Sequence, residues 1–390
     1  MSRAVLGLSL VALLMLFVGC NSRGPVTTIA GTGNHGAVDS DTDYGLAQFN
    51  LPMGVFGGEN GELYVLDTYN NMIRIIDYQG HVSRFAGDIL MDGDFPVLDM
   101  FRFPRGFHRD GPLEYALFNR PTAGAIDEAG RMFIVDSGNH AIRVIIDRAV
   151  YTFVGGVAGH KDGPIAYAMF YHPTALAIDS YGNLYIADTG NSAIRRIDTS
   201  GYVTTVAGIP GQFGFNDGPA EEALFNEPMG IAIGTEGAIF IADSNNHLIR
   251  VLEGGYVRTL AGIFQLPNED DPYDEWDMLP IGGYEDGIFA MFNTPIGIAL
   301  WGDNLIVADS LNHAIRMVRP CGEAFTIVGT GHPGHGDGFN AMLHLPKGVY
   351  IFGGELIITD TGNNMIRKML PPLYLAEAIL ENALEVYNDR

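Results

Sequence analysis

Short apolar runs alternate along the chain with turns rich in Asp, Asn and Gly, and one polar octapeptide recurs six times. The copies read DTYNNMIR, DSGNHAIR, DTGNSAIR, DSNNHLIR, DSLNHAIR and DTGNNMIR, and they begin at Asp67, Asp136, Asp188, Asp243, Asp309 and Asp360. A run typical of a β-strand precedes each copy, as in LYVL and MFIV, and a Pro-led apolar run precedes that one. A further strand follows, such as VTTVAG at 203–208. Each unit therefore predicts four antiparallel strands.

Six such units predict an all-β fold, a six-bladed β-propeller of four-stranded antiparallel blades. The fourth copy contains Asn246-His247-Leu248, with variants at Asn139-His140-Ala141 and Asn312-His313-Ala314. On these motifs the chain resembles the NHL-repeat β-propellers over residues 26–370. The resemblance implies an interaction platform. Some propellers of this family bind RNA through a basic top surface.

The repeated octapeptide has a structural interpretation. Asp and Asn cap their own backbone in tight turns, so it predicts the hairpin between the second and third strands of each blade. The Ile of its Ile-Arg pair is expected between blades, and the Arg is expected to pair with a carboxylate. The fifth position alternates between His, Asn and Ser. This variation favours a turn residue over a metal ligand.

The two ends of the repeat region complement each other. The sixth unit stops after three strands at Pro371-Pro372, whereas VTTIAG at 26–31 is a strand without a preceding unit. We expect this N-terminal strand to complete the last blade and to remove both free edges. The octapeptide hairpins define the top face, and the opposite face is the bottom. Residues 371–390 are expected to form a C-terminal amphipathic helix under the propeller.

Residues 1–19 have the basic start and apolar core of a secretory signal peptide, and Phe17-Val18-Gly19-Cys20 resembles a bacterial lipoprotein processing box. Cys20 is the expected lipidation site, and residues 20–25 form a short anchor linker. Because Asn21 to Pro25 reach only roughly 17 Å when extended, the bottom face should lie against the membrane. An ordinary signal peptide cleaved nearby is the alternative. We expect an envelope protein, lipid-anchored and extracytoplasmic.

Charge changes the picture of possible partners. The chain of 390 residues has 22 Lys and Arg against 46 Asp and Glu, a formal net charge of −24. Nucleic acid is therefore an unsuitable partner, because its phosphates bind basic patches. A protein, peptide or glycan fits better, and we expect a monomer. Cys321 lies in a turn without a partner for a disulfide, and we interpret it as structural.

Residues flanking the Pro of each first strand should ring the top mouth of the central channel. This ring is the default ligand site, and its members are Asn50, Asn119, Arg120, Tyr171, His172, Asn226, Glu227, Asn293, His344 and Lys347.

Two connections are longer than the others, 88–109 and 263–285, and both should lie on the top face. The second is acidic, and Ca²⁺ takes six to eight oxygen ligands. A solvated acidic loop is the alternative to a calcium site, and contact with a protein is a third interpretation, because aromatic residues interrupt the acidic run. The calcium candidates are Glu269, Asp270, Asp271, Asp274 and Asp277.

Two functions compete. A membrane-anchored recognition scaffold, using its top face or channel mouth, is the leading hypothesis. The alternative is a metal-dependent enzyme, similar to the propeller lyases and lactonase-like hydrolases that hold a metal in the channel. Such a site needs His or carboxylate ligands from several blades, and only His172 and His344 lie near the mouth.

Overall fold

The computed structural model describes residues 24–40, 46–93, 95–266 and 280–370. Six antiparallel sheets form the blades of an all-β ring. The first strands of neighbouring blades contact one another in the order 1-2-3-4-5-6-1 and surround the central axis. The predicted six-bladed β-propeller is therefore confirmed.

Strands are given from the axis outward. Blade 1 consists of Gly54–Gly57, Leu63–Asp67, Met72–Ile76 and Val82–Ala86. Blade 2 consists of Pro121–Ile126, Met132–Asp136, Ala141–Ile146 and Ala149–Gly155. Blade 3 consists of Ala175–Ile178, Leu184–Asp188, Ala193–Ile197 and Tyr202–Ala207.

The second half of the ring repeats this plan. Blade 4 consists of Pro228–Ile233, Ile239–Asp243, Leu248–Glu253 and Tyr256–Ala261. Blade 5 consists of Pro295–Trp301, Asn304–Asp309, Ala314–Val318 and Ala324–Gly329. Blade 6 consists of Gly348–Phe352, Glu355–Asp360, Met365–Met369 and, outermost, Val26–Ala30.

Three blades depart from the predicted four-stranded plan. Blades 2, 3 and 4 each have a fifth, two-residue strand at the outer edge, and these are Gly111–Pro112, Gly163–Pro164 and Gly218–Pro219. Each belongs to the connection that precedes its blade and pairs with the start of the fourth strand, as Gly111 does with Val150. The connection therefore runs down to the bottom of the blade before it returns to the top face.

The long connection 88–109 also contains strand structure. A two-residue ladder joins Met91–Asp92 to Phe95–Pro96.

The hydrophobic core is divided into six clusters, one between each pair of neighbouring blades. Between blades 2 and 3, for example, Ile142 of the octapeptide packs with Ile186 and Phe170, as the sequence predicted for its Ile. Phe170 comes from the connection, and its counterparts in the other five clusters are Phe49, Phe118, Phe225, Phe292 and Leu343. Because a fully buried Phe stabilises a fold by about 1.5–3 kcal/mol, these connections stabilise the packing of neighbouring blades.

The octapeptides form six short 3₁₀ turns on the top face. These are Thr68–Asn70, Ser137–Asn139, Thr189–Asn191, Ser244–Asn246, Ser310–Asn312 and Thr361–Asn363. The residue after each turn is left-handed, with φ between 50° and 58°. Asn and His tolerate this conformation better than most residues. The predicted hairpin role of the repeat is thus confirmed.

The octapeptide Asp and Arg form a buried ion pair in every blade. In blade 4 both Asp243 and Arg250 have fully buried side chains, and Arg250 Nη1 lies 2.7 Å from Asp243 Oδ2. The same oxygen accepts a hydrogen bond from Asn246 Nδ2 at 2.8 Å, and Oδ1 accepts from the Asn226 N–H at 2.8 Å. Burial raises the pKa of Asp243 to about 6, although Arg250 and these donors lower it.

Each Arg also binds a second carboxylate, from the connection that descends beside its own blade. Arg143, for instance, lies 2.6 Å from Asp110. The corresponding partners in the other blades are Asp39, Asp162, Asp217, Asp286 and Asp337. Each guanidinium therefore holds the connection against the blade.

The outermost strand of blade 6 comes from the other end of the chain. Val26 pairs with Met369, and Ala30 pairs with Ile366. The N–H of Thr28 donates to Asp337 at 3.1 Å, the carboxylate that also binds Arg367.

The signal peptide predicted for 1–19, Cys20 and the helix predicted for 371–390 lie outside the described residues. In the described part of the chain, no helix has the length and apolarity needed to cross a bilayer.

Candidate functional site

A Pro lies at the start of each first strand or two residues before it, on the top face, and the residue before that Pro has a left-handed backbone. These residues are Leu51, Arg120, His172, Glu227, Thr294 and Leu345, with φ between 46° and 53°. Side chains rarely adopt this conformation, and a following Pro restricts the residue further. In five blades the N–H of this residue donates to the fifth octapeptide residue of the preceding blade.

The acceptor atom explains why His and Asn exchange at this position. Asn71 and Asn364 accept through Oδ1, whereas the histidines His140, His247 and His313 accept through Nδ1. All five distances lie between 2.8 and 3.1 Å. Acceptance by Nδ1 requires a neutral ring, and burial lowers the pKa of all three histidines. These histidines therefore act as ties between blades.

The residues that follow the six prolines line the upper channel, and they are Met53, Thr122, Thr174, Met229, Ile296 and Lys347. The two Thr hydroxyls are used within the ring. Thr122 Oγ1 donates to the Thr174 carbonyl at 2.8 Å, and Thr174 Oγ1 donates to the Met229 carbonyl at 3.0 Å. Below this level the channel is a cavity of about 200 Å³ lined mostly by aliphatic side chains and backbone.

A larger cavity of about 480 Å³ opens above the ring, and we call it the mouth. It is off-centre, because its described lining comes from blades 1 to 4 and their connections, with Lys347 of blade 6. The floor is Met53, Thr122, Thr174, Met229 and Lys347, and the larger side chains of the wall are Tyr69, Arg120, Tyr171, His172, Phe213, Asn226 and Glu227. Aromatic, cationic and acidic groups therefore face one space.

The structure brings six of the ten predicted ring residues into the mouth: Arg120, Tyr171, His172, Asn226, Glu227 and Lys347. Asn119 lines an adjoining cavity of about 290 Å³ with Arg120 and His172. The remaining three lie outside both cavities. Asn50 is buried, and the backbone N–H groups of Asn50, Asn293 and His344 each donate to an octapeptide Asp.

The blade 1 to blade 2 side of the mouth is an aromatic stack. The Arg120 guanidinium lies 5.1 Å from the centre of the Tyr69 ring, and Tyr69 meets Phe103 edge-on at 5.2 Å. Phe103 belongs to the long connection 88–109. This insertion therefore supports the wall of the mouth and holds the cation against an aromatic face.

The neighbouring side contains two histidines and a tyrosine. The rings of His140 and His172 are 4.4 Å apart, and Tyr171 lies 4.9 Å from His172. Burial lowers the pKa of His172, and the Arg120 charge lowers it further. His172 therefore stays neutral at pH 7 and can both donate and accept a hydrogen bond.

Sequence reasoning missed Tyr69, Phe213 and the floor residues. The floor could have been found, since the residue after each Pro is the first one that the strand pleat turns towards the axis. Tyr69 and Phe213 come from turns and connections, where no periodicity marks orientation. Their positions depend on how the connections fold back.

The described residues do not offer a metal site. Met, Thr, Ile and Lys in the channel are a poor donor set for a divalent cation, and no group of three or more His, Cys, Asp or Glu in the described ranges could hold a metal. The calcium candidates from Glu269 to Asp277 lie outside those ranges.

Comparison with known proteins agrees with the geometry. The sequence profile of the NHL repeat matches residues 225–252, which hold the Asn246-His247-Leu248 copy. The protein is a six-bladed β-propeller that carries the NHL repeat. This NHL propeller is 30% identical over 280 residues to the protein SUPPRESSOR OF QUENCHING 1, chloroplastic, of Arabidopsis thaliana, covering 66% of the chain and 26% of the plant protein.

A second relative is NHL repeat-containing protein 2 of Homo sapiens, 33% identical over 346 residues, covering 79% of the chain and 44% of the human protein. The NHL propeller therefore spans less than half of either relative.

A solved structure with a similar fold is an auxiliary nutrient binding protein from Bacteroides thetaiotaomicron. It has a TM-score of 0.61 and 16% identity, covering 88% of this chain and 75% of that one. At this identity the likeness shows the fold alone.

Proposed function

We propose that the NHL propeller is an extracytoplasmic recognition scaffold that binds a protein, peptide or glycan in its mouth. The observation that carries this proposal is the asymmetry of the mouth. Arg120, His172 and Glu227 precede the first-strand prolines in blades 2 to 4, whereas Leu51, Thr294 and Leu345 do so in the other blades. One residue type before the Pro in every blade would stabilise the ring equally well.

The octapeptide repeat stabilises the ring, and the side chains of the mouth remain available for recognition. The polar groups of the octapeptide are occupied within the ring: each Asp binds its Arg, and Thr189 Oγ1, for instance, donates to the Pro228 carbonyl of the next blade at 2.7 Å. The side chains of the mouth differ from blade to blade and sit on this rigid frame. Recognition residues on rigid elements hold their geometry when a ligand arrives.

The exposed aromatics favour a ligand with flat or apolar faces. Tyr171 is 41% exposed and Phe213 is 74% exposed, although both line the cavity. Such rings anchor peptides and proteins and also offer flat faces to sugars. The size of the mouth is suited to a short peptide segment or a small glycan.

Methionine-methyl NMR tests the proposal, because Met53 and Met229 lie on the floor of the mouth and Met369 is fully buried in the core. Hexapeptides and neutral oligosaccharides are titrated separately into protein labelled at the methionine methyls. Binding in the mouth should shift the Met53 and Met229 signals and leave Met369 unchanged. Two sets of probes that leave both floor signals unmoved would overturn the proposal.

Tyr171→Ala and Tyr181→Ala form a matched pair for the same titration. Tyr181 is 82% exposed and lies in the bottom turn between Asp179 and Asn183. We expect Tyr171→Ala to weaken binding by about tenfold, since an aromatic anchor contributes about 1–2 kcal/mol. Tyr181→Ala should bind as the wild type does. Equal losses in both variants would show that binding does not use the mouth.

We propose further that lipid on Cys20 anchors the protein after removal of residues 1–19, with 20–25 as linker, 26–370 as propeller and 371–390 as a C-terminal helix. Support comes from Gly24 and Leu370, which adjoin each other at the bottom face. This arrangement directs the mouth away from the membrane. Cys20→Ser should move the protein from the membrane to the soluble fraction, and unchanged partition would contradict the anchor.

A further inference from the structure

Lys347 is the exception in the ring of residues at the floor of the mouth. The equivalent position is Met in blades 1 and 4, Thr in blades 2 and 3 and Ile in blade 5. Lys347 lines both the mouth and the narrower channel beneath it. Lys347 therefore borders both cavities.

The Lys347 ammonium has no protein partner among the described residues. The described salt bridges do not include it, and the Thr hydroxyls beside it in the ring are committed to neighbouring carbonyls. Burial alone lowers the pKa of Lys347, without an opposing contribution from a carboxylate. A cation held away from water without a counter-ion is unfavourable, in a chain whose net charge is −24.

The other charged groups that face the mouth are Arg120 and Glu227. Neither forms a salt bridge within the described residues, and both side chains are exposed near the rim. With His172 neutral, the mouth carries one net positive charge. Among the described lining residues, the one charged side chain of the floor is Lys347, and the rest of the floor is Met and Thr.

We propose that Lys347 binds the carboxylate of an organic monoanion, whose ring or hydrocarbon part lies in the mouth against Tyr171 and the floor methionines. This inference rests on the proposed function and names its ligand chemistry. One ammonium balances one carboxylate, whereas a phosphate brings a charge of about −1.5 to −2 and would leave uncompensated charge on an apolar floor. The carboxylate completes the ion pair that the fold leaves open.

Three carboxylate probes test the proposal and distinguish the classes of molecule that could supply the carboxylate. N-acetylphenylalanine represents a peptide C-terminus, glucuronate represents an acidic sugar, and hexanoate represents an aliphatic acid. The matched neutral probes are N-acetylphenylalaninamide, glucose and hexanamide, and inorganic phosphate is the charge control. The acid that fits should bind about tenfold to hundredfold more tightly than its neutral partner, with shifts at Met53 and Met229.

Lys347→Met is the decisive variant, because it places at this position the residue that blades 1 and 4 already carry. It should reduce the affinity for the acid to that for the neutral probe, and its urea midpoint should be no lower than that of the wild type. Lys161→Met is the control, since Lys161 lies outside the mouth, over the Tyr167 ring, and it should leave binding unchanged.

Lysine NMR on the unmodified protein gives an independent readout, since the chain has only three lysines, Lys161, Lys347 and Lys368. The Lys347 signal should titrate below the ordinary pKa range of lysine, because burial lowers its pKa, and the bound acid should raise that pKa. The proposal is overturned if no acid gains affinity through Lys347. If neutral peptides or sugars still shift the floor methionines, the scaffold function survives that result, and if nothing does, both fail.

Discussion

The buried Arg of the repeat permits a quantitative test of what holds the blades together. Arg250 has no exposed side-chain surface, and it donates to Asp243, to Asp217 and to the Leu224 and Asn216 carbonyls. Arg250→Met keeps the apolar stem but removes every one of these donors. Asp243 is then left fully buried with two donors, the Asn246 amide and the Asn226 N–H.

The expected loss follows from the uncompensated charge. Removing one partner of a buried ion pair costs about 3–5 kcal/mol, and the Leu224 carbonyl, which loses the Arg250 donor, adds to the loss. The Asn216 carbonyl still accepts from the Leu224 N–H. Burial already raises the pKa of Asp243 to about 6 in the wild type. Without Arg250 the pKa of Asp243 rises further, and protonation of Asp243 removes part of the free-energy cost of burying its charge. A carboxyl whose pKa is raised in the folded state makes the protein less stable as pH rises towards that pKa. The free energy of unfolding of the variant should therefore be lower at pH 8 than at pH 5.

Arg258→Met is the matched control in the same blade. Arg258 is 56% exposed and lies 3.9 Å from Glu253, itself 60% exposed, so this pair should contribute less than about 1 kcal/mol. Urea unfolding of both variants at pH 5 and pH 8, followed by circular dichroism, makes the comparison. An Arg250→Met midpoint equal to that of Arg258→Met would refute the view that the buried guanidinium holds the blade.

Three further predictions concern the joints between blades. The triple variant H140N/H247N/H313N keeps the three acceptors, but its Asn side chains cannot titrate. A His whose folded pKa is lowered makes the fold less stable as pH falls below 6.5. The variant should therefore lose less thermal stability between pH 7 and pH 5 than the wild type loses. Gly230→Ala should destabilise by several kcal/mol, because its Cβ would collide with the Ile296 carbonyl of the next blade, whereas Gly336→Ala meets open space and should be nearly neutral in the same melting assay. Thr189→Val should cost about 1–3 kcal/mol in urea by orphaning the Pro228 carbonyl, while Thr204→Val should cost nothing, since the Thr204 hydroxyl is buried without a partner among the described residues.

The fold was predictable because its information is local and repeated. Asp at the first octapeptide position, Asn at the fourth and Arg at the eighth imply a turn and an ion pair wherever they occur, and six copies imply six blades. The second carboxylate of each Arg was not predictable. Asp217 precedes Arg250 by 33 residues, and they meet only because the connection descends along the blade edge.

The candidate site was predictable only in outline. Proximity to the first-strand Pro identified Arg120, His172 and Lys347, but the sequence does not show that one flanking residue is left-handed and the other faces the axis. It also did not show why His and Asn exchange at the fifth octapeptide position. That equivalence depends on an N–H supplied by the next blade, which is a tertiary contact.

The strand Val26–Ala30 also governs when the ring can form during synthesis. It belongs to the same sheet as Met365–Met369, and Thr28 binds a carboxylate 309 residues further along the chain. Blades 1 to 5 can assemble as their residues emerge, whereas the sixth must wait for nearly the whole polypeptide and must close a very long loop, at an entropic cost that grows only slowly with length. The nascent chain therefore remains an open arc until its last blade is made.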